Sequence, residues 1–145
     1  MRLSVVAIAD PSVPNRERVH LSVVTDTDLT YYILFSSFMM ENGLVSAGGK
    51  AGFWFPSHIV KAGDNVVVYT GTGMPTTNIR ADGGTNHFFY WGMPRTLFNV
   101  PASCVVLGEL NAWLTQNKAD HLQMGLFTGF GPPPLPAPPG MFGKK

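Results

Sequence analysis

From Arg18 the chain alternates polar and apolar residues, Arg18-Val19-His20-Leu21-Ser22-Val23. It breaks at Thr25-Asp26-Thr27-Asp28, then resumes as Tyr31-Tyr32-Ile33-Leu34-Phe35. A period of two bounded by turn residues is what a sheet with one buried face imposes on its strands. The same grammar recurs, which predicts strands over Leu3 to Ile8, Arg18 to Val24, Tyr31 to Ser37, Gly52 to Phe55, Asn65 to Thr70, His87 to Trp91, Ser103 to Leu107 and Leu110 to Leu114. Short strands at regular intervals, with no helical periodicity between them, point to an all-β sandwich or barrel. Leu107-Gly108-Glu109-Leu110-Asn111 reads as the hairpin turn between the last two strands, and Asp10-Pro11-Ser12-Val13-Pro14-Asn15 as a stiff link between the first two.

Two stretches are longer than turns require. Residues Glu41 to Lys50 and Gly71 to Thr85 are Gly-rich and are expected to be mobile or functional loops. After Asn117 the pattern changes. A short helical turn is expected over Ala119 to Met124, and half of the chain's 12 prolines fall between Pro132 and Pro139, a composition suited to extended polyproline II. The expected organisation is therefore a sandwich over 1–117 and a Pro-rich C-terminal extension over 118–145.

Composition narrows the function. With 13% charged residues and a net charge of +1 without any charge run, the chain lacks the basic stripe that gathers a phosphate backbone, so nucleic acid is not favoured. A surface so poor in charge associates readily. The single cysteine, Cys104, lies among apolar residues and is expected to be a small buried hydrophobe. The N-terminal run from Met1 to Ala9 meets Asp10-Pro11 too early for a signal peptide and reads as a first strand. No apolar run has the length of a membrane span. The expectation is a soluble protein, intracellular or particle-associated.

The order of motifs resembles the lamin-tail domain, an immunoglobulin-like sandwich. The features that carry the resemblance run in order over the first half of the chain. They are Leu3 to Pro14, then Glu17-Arg18-Val19-His20-Leu21, then Asp28-Leu29-Thr30-Tyr31-Tyr32-Ile33-Leu34, then Trp54-Phe55-Pro56 followed by Gly63 and Val66-Val67-Val68. The chain departs from the family at Arg18 and His20, where a Trp and a second Glu are usual, and at Tyr31-Tyr32, where Gly-Trp is usual. The resemblance implies an immunoglobulin-like two-sheet sandwich acting as an interaction module without catalytic residues.

The chemistry-bearing residues give little against that implication. The histidines His20, His58, His87 and His121 show no ligand spacing with one another, with cysteine or with carboxylates, so no metal and no cofactor are expected. His20 and His58 read as solvent-facing or loop imidazoles. Gly71-Thr72-Gly73-Met74-Pro75-Thr76-Thr77 lacks the Lys-Ser/Thr and helix start of a phosphate cradle. No Gly-x-Ser-x-Gly elbow accompanies any serine. An enzymatic alternative, a small hydrolase, would rest on His87 and Asp82 beside the Gly71 to Thr85 loop. Phe88-Phe89-Tyr90-Trp91 puts two rings on each face of a strand, one pair for the core and one for a covering loop or a partner.

The expected function is thus a non-catalytic protein-interaction or self-assembly module, with a structural component of a phage, other particle or filament as an alternative. Its partner is a protein or a second copy, with no small-molecule substrate evident. Interface candidates are Tyr90, Trp91, His87, Trp54, Phe130, Pro133 and Pro136, the last two within Pro-x-x-Pro spacings.

Overall fold

The computed structural model describes residues 1–46 and 51–118. The chain divides between Asn111 and Ala112, and the sheets belong to the first unit, Met1–Asn111. This unit is an all-β sandwich, with ten strands among the described residues: β1 (Leu3–Ala9), β2 (Arg18–Val23), β3 (Thr27–Asp28), β4 (Tyr32–Phe38), β5 (Gly52–Trp54), β6 (Ile59–Val60), β7 (Asn65–Tyr69), β8 (Thr76–Ile79), β9 (Thr85–Tyr90) and β10 (Ser103–Glu109). A five-stranded sheet runs β1-β2-β7-β9-β8, a three-stranded sheet runs β10-β4-β5, and β3 with β6 forms a small ribbon.

Alternation decides which side chains go inside. In β2, Val19, Leu21 and Val23 are buried while Arg18, His20 and Ser22 are half-exposed. Those valines and leucine meet Val66 and Val68 of β7, Phe89 of β9, Tyr32 and Leu34 of β4, and Phe55 and Val60 in one core. Phe53, Val105 and Leu107 of the three-stranded sheet pack against it. Rings fill the space between layers edge to face, Phe53 on Phe55 at 5.0 Å and Phe55 on Phe89 at 5.5 Å.

At one end of the core sits a carboxylate. Glu17 is 1% exposed. It accepts from Ser12 N at 2.8 Å, Thr70 Oγ1 at 2.8 Å, Leu97 N at 2.6 Å and Phe98 N at 3.0 Å. A buried charge is tolerable only when its lone pairs are filled in this way. Glu17 thereby joins the Asp10–Asn15 link, the end of β7 and the segment before β10.

Two expected elements are corrected. Leu110 to Leu114 forms no strand, and Leu107 to Asn111 no hairpin, because β10 continues through Gly108 and Glu109, opposite Ile33 and Tyr32. Gly108 fits there because its missing side chain leaves room for Ile33, whose Cγ2 would lie 3.3 Å from an added Cβ. Tyr32 Oη then donates to Glu109 Oε2 at 3.3 Å. The second correction concerns Gly71 to Thr85, which is no simple loop, since it contains β8.

The length of that segment has a topological cause. β9 lies parallel to β7 and antiparallel to β8, so the chain leaving β7 must cross β9 before it can return. Parallel neighbours cannot be joined by a tight turn. The crossover passes Tyr90 so closely that a Cβ on Gly73 would lie 2.5 Å from the ring. Of the other regions singled out by sequence, the Glu41 to Lys50 stretch is entered by a bridge in which its Val45 pairs back to Met39. The helical turn expected over Ala119 to Met124 and the Pro-rich segment lie outside the described residues. Cys104, expected to be buried, is partly exposed on β10. No helix among the described residues is long and apolar enough to cross a membrane.

Candidate functional site

β8 forms one margin of the five-stranded sheet, and all four of its residues are exposed. It returns into β9 through a turn in which Gly83 N donates to Arg80 O at 3.0 Å and Arg80 N to Gly84 O at 2.7 Å. Gly83 adopts φ 89°, the left-handed conformation that a type I turn with a following bulge demands and that glycine alone adopts freely. Asp82 completes the turn, accepting from Gly84 N at 2.9 Å and pairing with Arg80 Nε at 3.1 Å.

The register tells which backbone groups of β8 are already used. Residues in an antiparallel pair alternate between exchanging hydrogen bonds and facing away. Because Arg80 bonds Gly84, the pairs Asn78–Asn86 and Thr76–Phe88 exchange bonds, and the pairs Ile79–Thr85 and Thr77–His87 do not. The N–H and C=O groups of Thr77 and Ile79 therefore point away from β9. The opposite margin of the sheet is different: β1 carries a bulge between Val5 and Ala7 that breaks its pairing pattern.

Across the outer face runs a row of amides. Asn65 Nδ2 donates to Asn86 Oδ1 at 3.2 Å, and Asn86 Nδ2 donates to Asn78 Oδ1 at 3.1 Å. Arg80 Nη1 also donates to Asn86 Oδ1, at 3.1 Å, which fixes that amide's orientation. Beside this row Tyr69 and Tyr90 stack at 5.4 Å and 15°, with the Arg18 guanidinium 5.8 Å from the Tyr69 ring.

On the inner face a second chain of polar groups forms. His87 Nε2 lies 2.9 Å from Asp64 Oδ2, and His87 Nδ1 lies 2.9 Å from His58 Nε2. Asp28 holds His58 in place by accepting from His58 N at 2.9 Å and Ser57 Oγ at 2.8 Å. With Asp64 ionised, Nε2 of His87 donates to it, and Nδ1 shares the remaining hydrogen bond with His58 Nε2. Both nitrogens of His87 are thus occupied by protein groups. Burial pushes Asp64 up, but hydrogen bonds from His87 and from the Lys61 and Thr85 amides bring it below its ordinary 3.8. Burial and the neighbouring His87 hold His58 below 6.5, against the opposing pull of Asp28.

The structure redistributes the sequence candidates. His87 and Trp91, expected at an interface, are buried at 6% and 8% and belong to the interior, because the inward phase of β9 is His87-Phe89-Trp91. Tyr90 is half-buried between Tyr69 and the backbone of Gly73. Trp54 keeps an exposed ring, with its indole N–H donating to Thr30 O at 2.7 Å. Phe130, Pro133 and Pro136 lie outside the described residues. The pairing of His87 with Asp82 does not form: Asp64 takes that place, and Asp82 sits at the turn with Arg80. His58, expected to face solvent or a loop, stacks edge to face on His87 and Phe89.

A shallow cleft of about 290 Å³ beside β8 is lined by Pro56, His58, Pro75, Thr76, Thr77, Phe88 and Phe89, and includes neither His87 nor Asp82. Among the described residues no group of three or more His, Cys, Asp or Glu could hold a metal ion. What sequence reasoning missed is β8 itself, with the amide row that ends on it. Its signal was present in the β-branched Thr76, Thr77 and Ile79 ahead of Asp82-Gly83. No family model matches the chain, and no curated protein matches it.

Proposed function

We propose that this chain is a non-catalytic protein-interaction or self-assembly module, built on a sandwich similar to the lamin-tail domain, that engages its partner through the open margin at β8. The observation that carries this reading is the strand itself: four exposed, uncharged residues whose Thr77 and Ile79 backbone groups face outward. Sheet margins of this kind accept an added strand, with backbone bonds supplying affinity and alternate side chains specificity. The usual guards are missing here. β8 contains no charge and no proline, and its nearest ions, Arg80 and Asp82, are paired with each other. Exposed Ile79 at its end, and Met74 two residues before its start, add apolar surface to be covered. A charge-poor surface also lowers the cost of desolvation on binding. Against a catalytic role stands the use of both His87 nitrogens by Asp64 and His58.

The test is a selection of random extended peptides displayed against the full chain, together with a concentration series for self-association. Binding of either kind is expected to weaken at least about tenfold in Thr77→Pro, which removes an outward N–H while sparing the ladder to β9. Binding that Thr77→Pro leaves unchanged, or no binding to any chain, overturns the proposal.

A further inference from the structure

Resting on the reading of β8 as a binding margin, we infer that its partner is a second copy of the same strand, paired antiparallel about a two-fold axis through Asn78. The outward backbone groups belong to Thr77 and Ile79, which flank Asn78 symmetrically. An antiparallel copy then sets Thr77 against Ile79 of the second copy, and Ile79 against its Thr77, as two bond-exchanging pairs. Asn78 faces itself at the non-bonded position, where side chains approach most closely.

The side chains support the same register. The amide row is polarised: Asn65 donates to Asn86 and Asn86 to Asn78, so the Asn78 NH2 is the last donor and points past the margin. A two-fold axis brings the two Asn78 NH2 groups toward each other, so each reaches the copy's Oδ1 only by turning about its side chain, onto the lone pair that Asn86 leaves open. The two amide rows thus meet head to head at the axis. On the other face each exposed Ile79 gains a β-branched threonine as its cross-strand neighbour. Nothing charged is buried, because the Arg80 guanidinium is held by Asp82, by Asn86 and by Gly63 O at 2.9 Å. An isologous contact of this form closes on itself.

Sedimentation velocity over a concentration series of the full chain tests the inference. A monomer–dimer equilibrium is expected. Asn78→Asp, which sets two like charges face to face, is expected to raise the dimer Kd at least about tenfold. Asn78→Cys in a Cys104→Ser background is expected to form an interchain disulfide under mild oxidation, since Cα atoms at a non-bonded antiparallel pair lie about 4.5 Å apart. Ile79→Cys, displaced from the axis, is expected to cross-link much more slowly. Thermal melts of each variant show that the fold is retained. A monomer at every concentration, or a dimer indifferent to Asn78→Asp, overturns self-pairing. If peptides still bind in a Thr77-dependent way, only self-pairing falls. If they do not, the module reading falls with it.

Discussion

Replacing Glu17 removes the acceptor of four donors at once, three of them backbone amides that have no water to turn to in a site 1% exposed. Each unsatisfied buried donor costs roughly 1–3 kcal/mol, so Glu17→Ala is expected to lose at least about 3 kcal/mol in urea denaturation. Glu17→Gln is expected to lose nearly as much, because an amide NH2 would be turned toward N–H groups. A loss below about 1 kcal/mol for both would show that the three segments hold together without the carboxylate. The imidazoles set a pH dependence of a definite sign. Burial lowers His20 and His58 below 6.5 in the folded protein, with Arg18 adding to the effect at His20 and His87 at His58. The unfolded chain therefore takes up protons first, and stability falls as pH drops below about 6.5. The carboxylates act lower: Asp28, held down by the Thr30 amide first and then by His58 N and Ser57, contributes stability above its ordinary 3.8 that is lost as pH falls through its native value. Melting temperature is expected to decline from pH 7 toward 5, and less steeply in His58→Gln; an equal slope would remove His58 from the account.

At the scale of elements, β8 offers a pair of substitutions that differ by one residue. Asn78→Pro deletes an N–H that bonds β9 and is expected to cost roughly 1–3 kcal/mol, while Thr77→Pro deletes an outward N–H and is expected to stay within about 1 kcal/mol of wild type. A larger loss from Thr77→Pro than from Asn78→Pro in calorimetry would mean the strand is paired in the other phase. Gly73→Ala drives a Cβ into the Tyr90 ring and is expected to cost about 1–3 kcal/mol by displacing the crossover. These elements also mark what sequence could reveal. β2, β4 and β9 were legible because one face of each is buried and the alternation records it, and β7 because Val66, Val67 and Val68 form an unbroken apolar run buried on both faces. β8 is exposed on both faces, so no alternation was imposed and its residues read as loop. The polar chain beneath it was hidden for another reason. His87 is 23 residues from Asp64 and 29 from His58, and only the neighbouring of β7, β9 and the segment before β6 brings them together.

For the whole molecule the decisive property is the shared interior. Leu34 of β4 is fully buried among side chains drawn from both sheets, so Leu34→Ala is expected to cost about 2–5 kcal/mol and to shift the urea midpoint of a single transition seen identically by circular dichroism and tryptophan fluorescence. Two separated transitions would mean that the layers unfold independently. Trp91 makes the fluorescence informative, since its ring is buried in that interior and its Nε1 has no hydrogen-bond partner among the described residues. The irregularity in β1, with Val6 thrown outward at the far side of the sheet, has its own effect on the proposed pair. Growth needs two receptive sides. With one side kinked and the other consumed by its mate, hydrogen-bonded addition along this sheet stops after a single step, and concentrating the protein would yield a capped, finite species instead of a fibril.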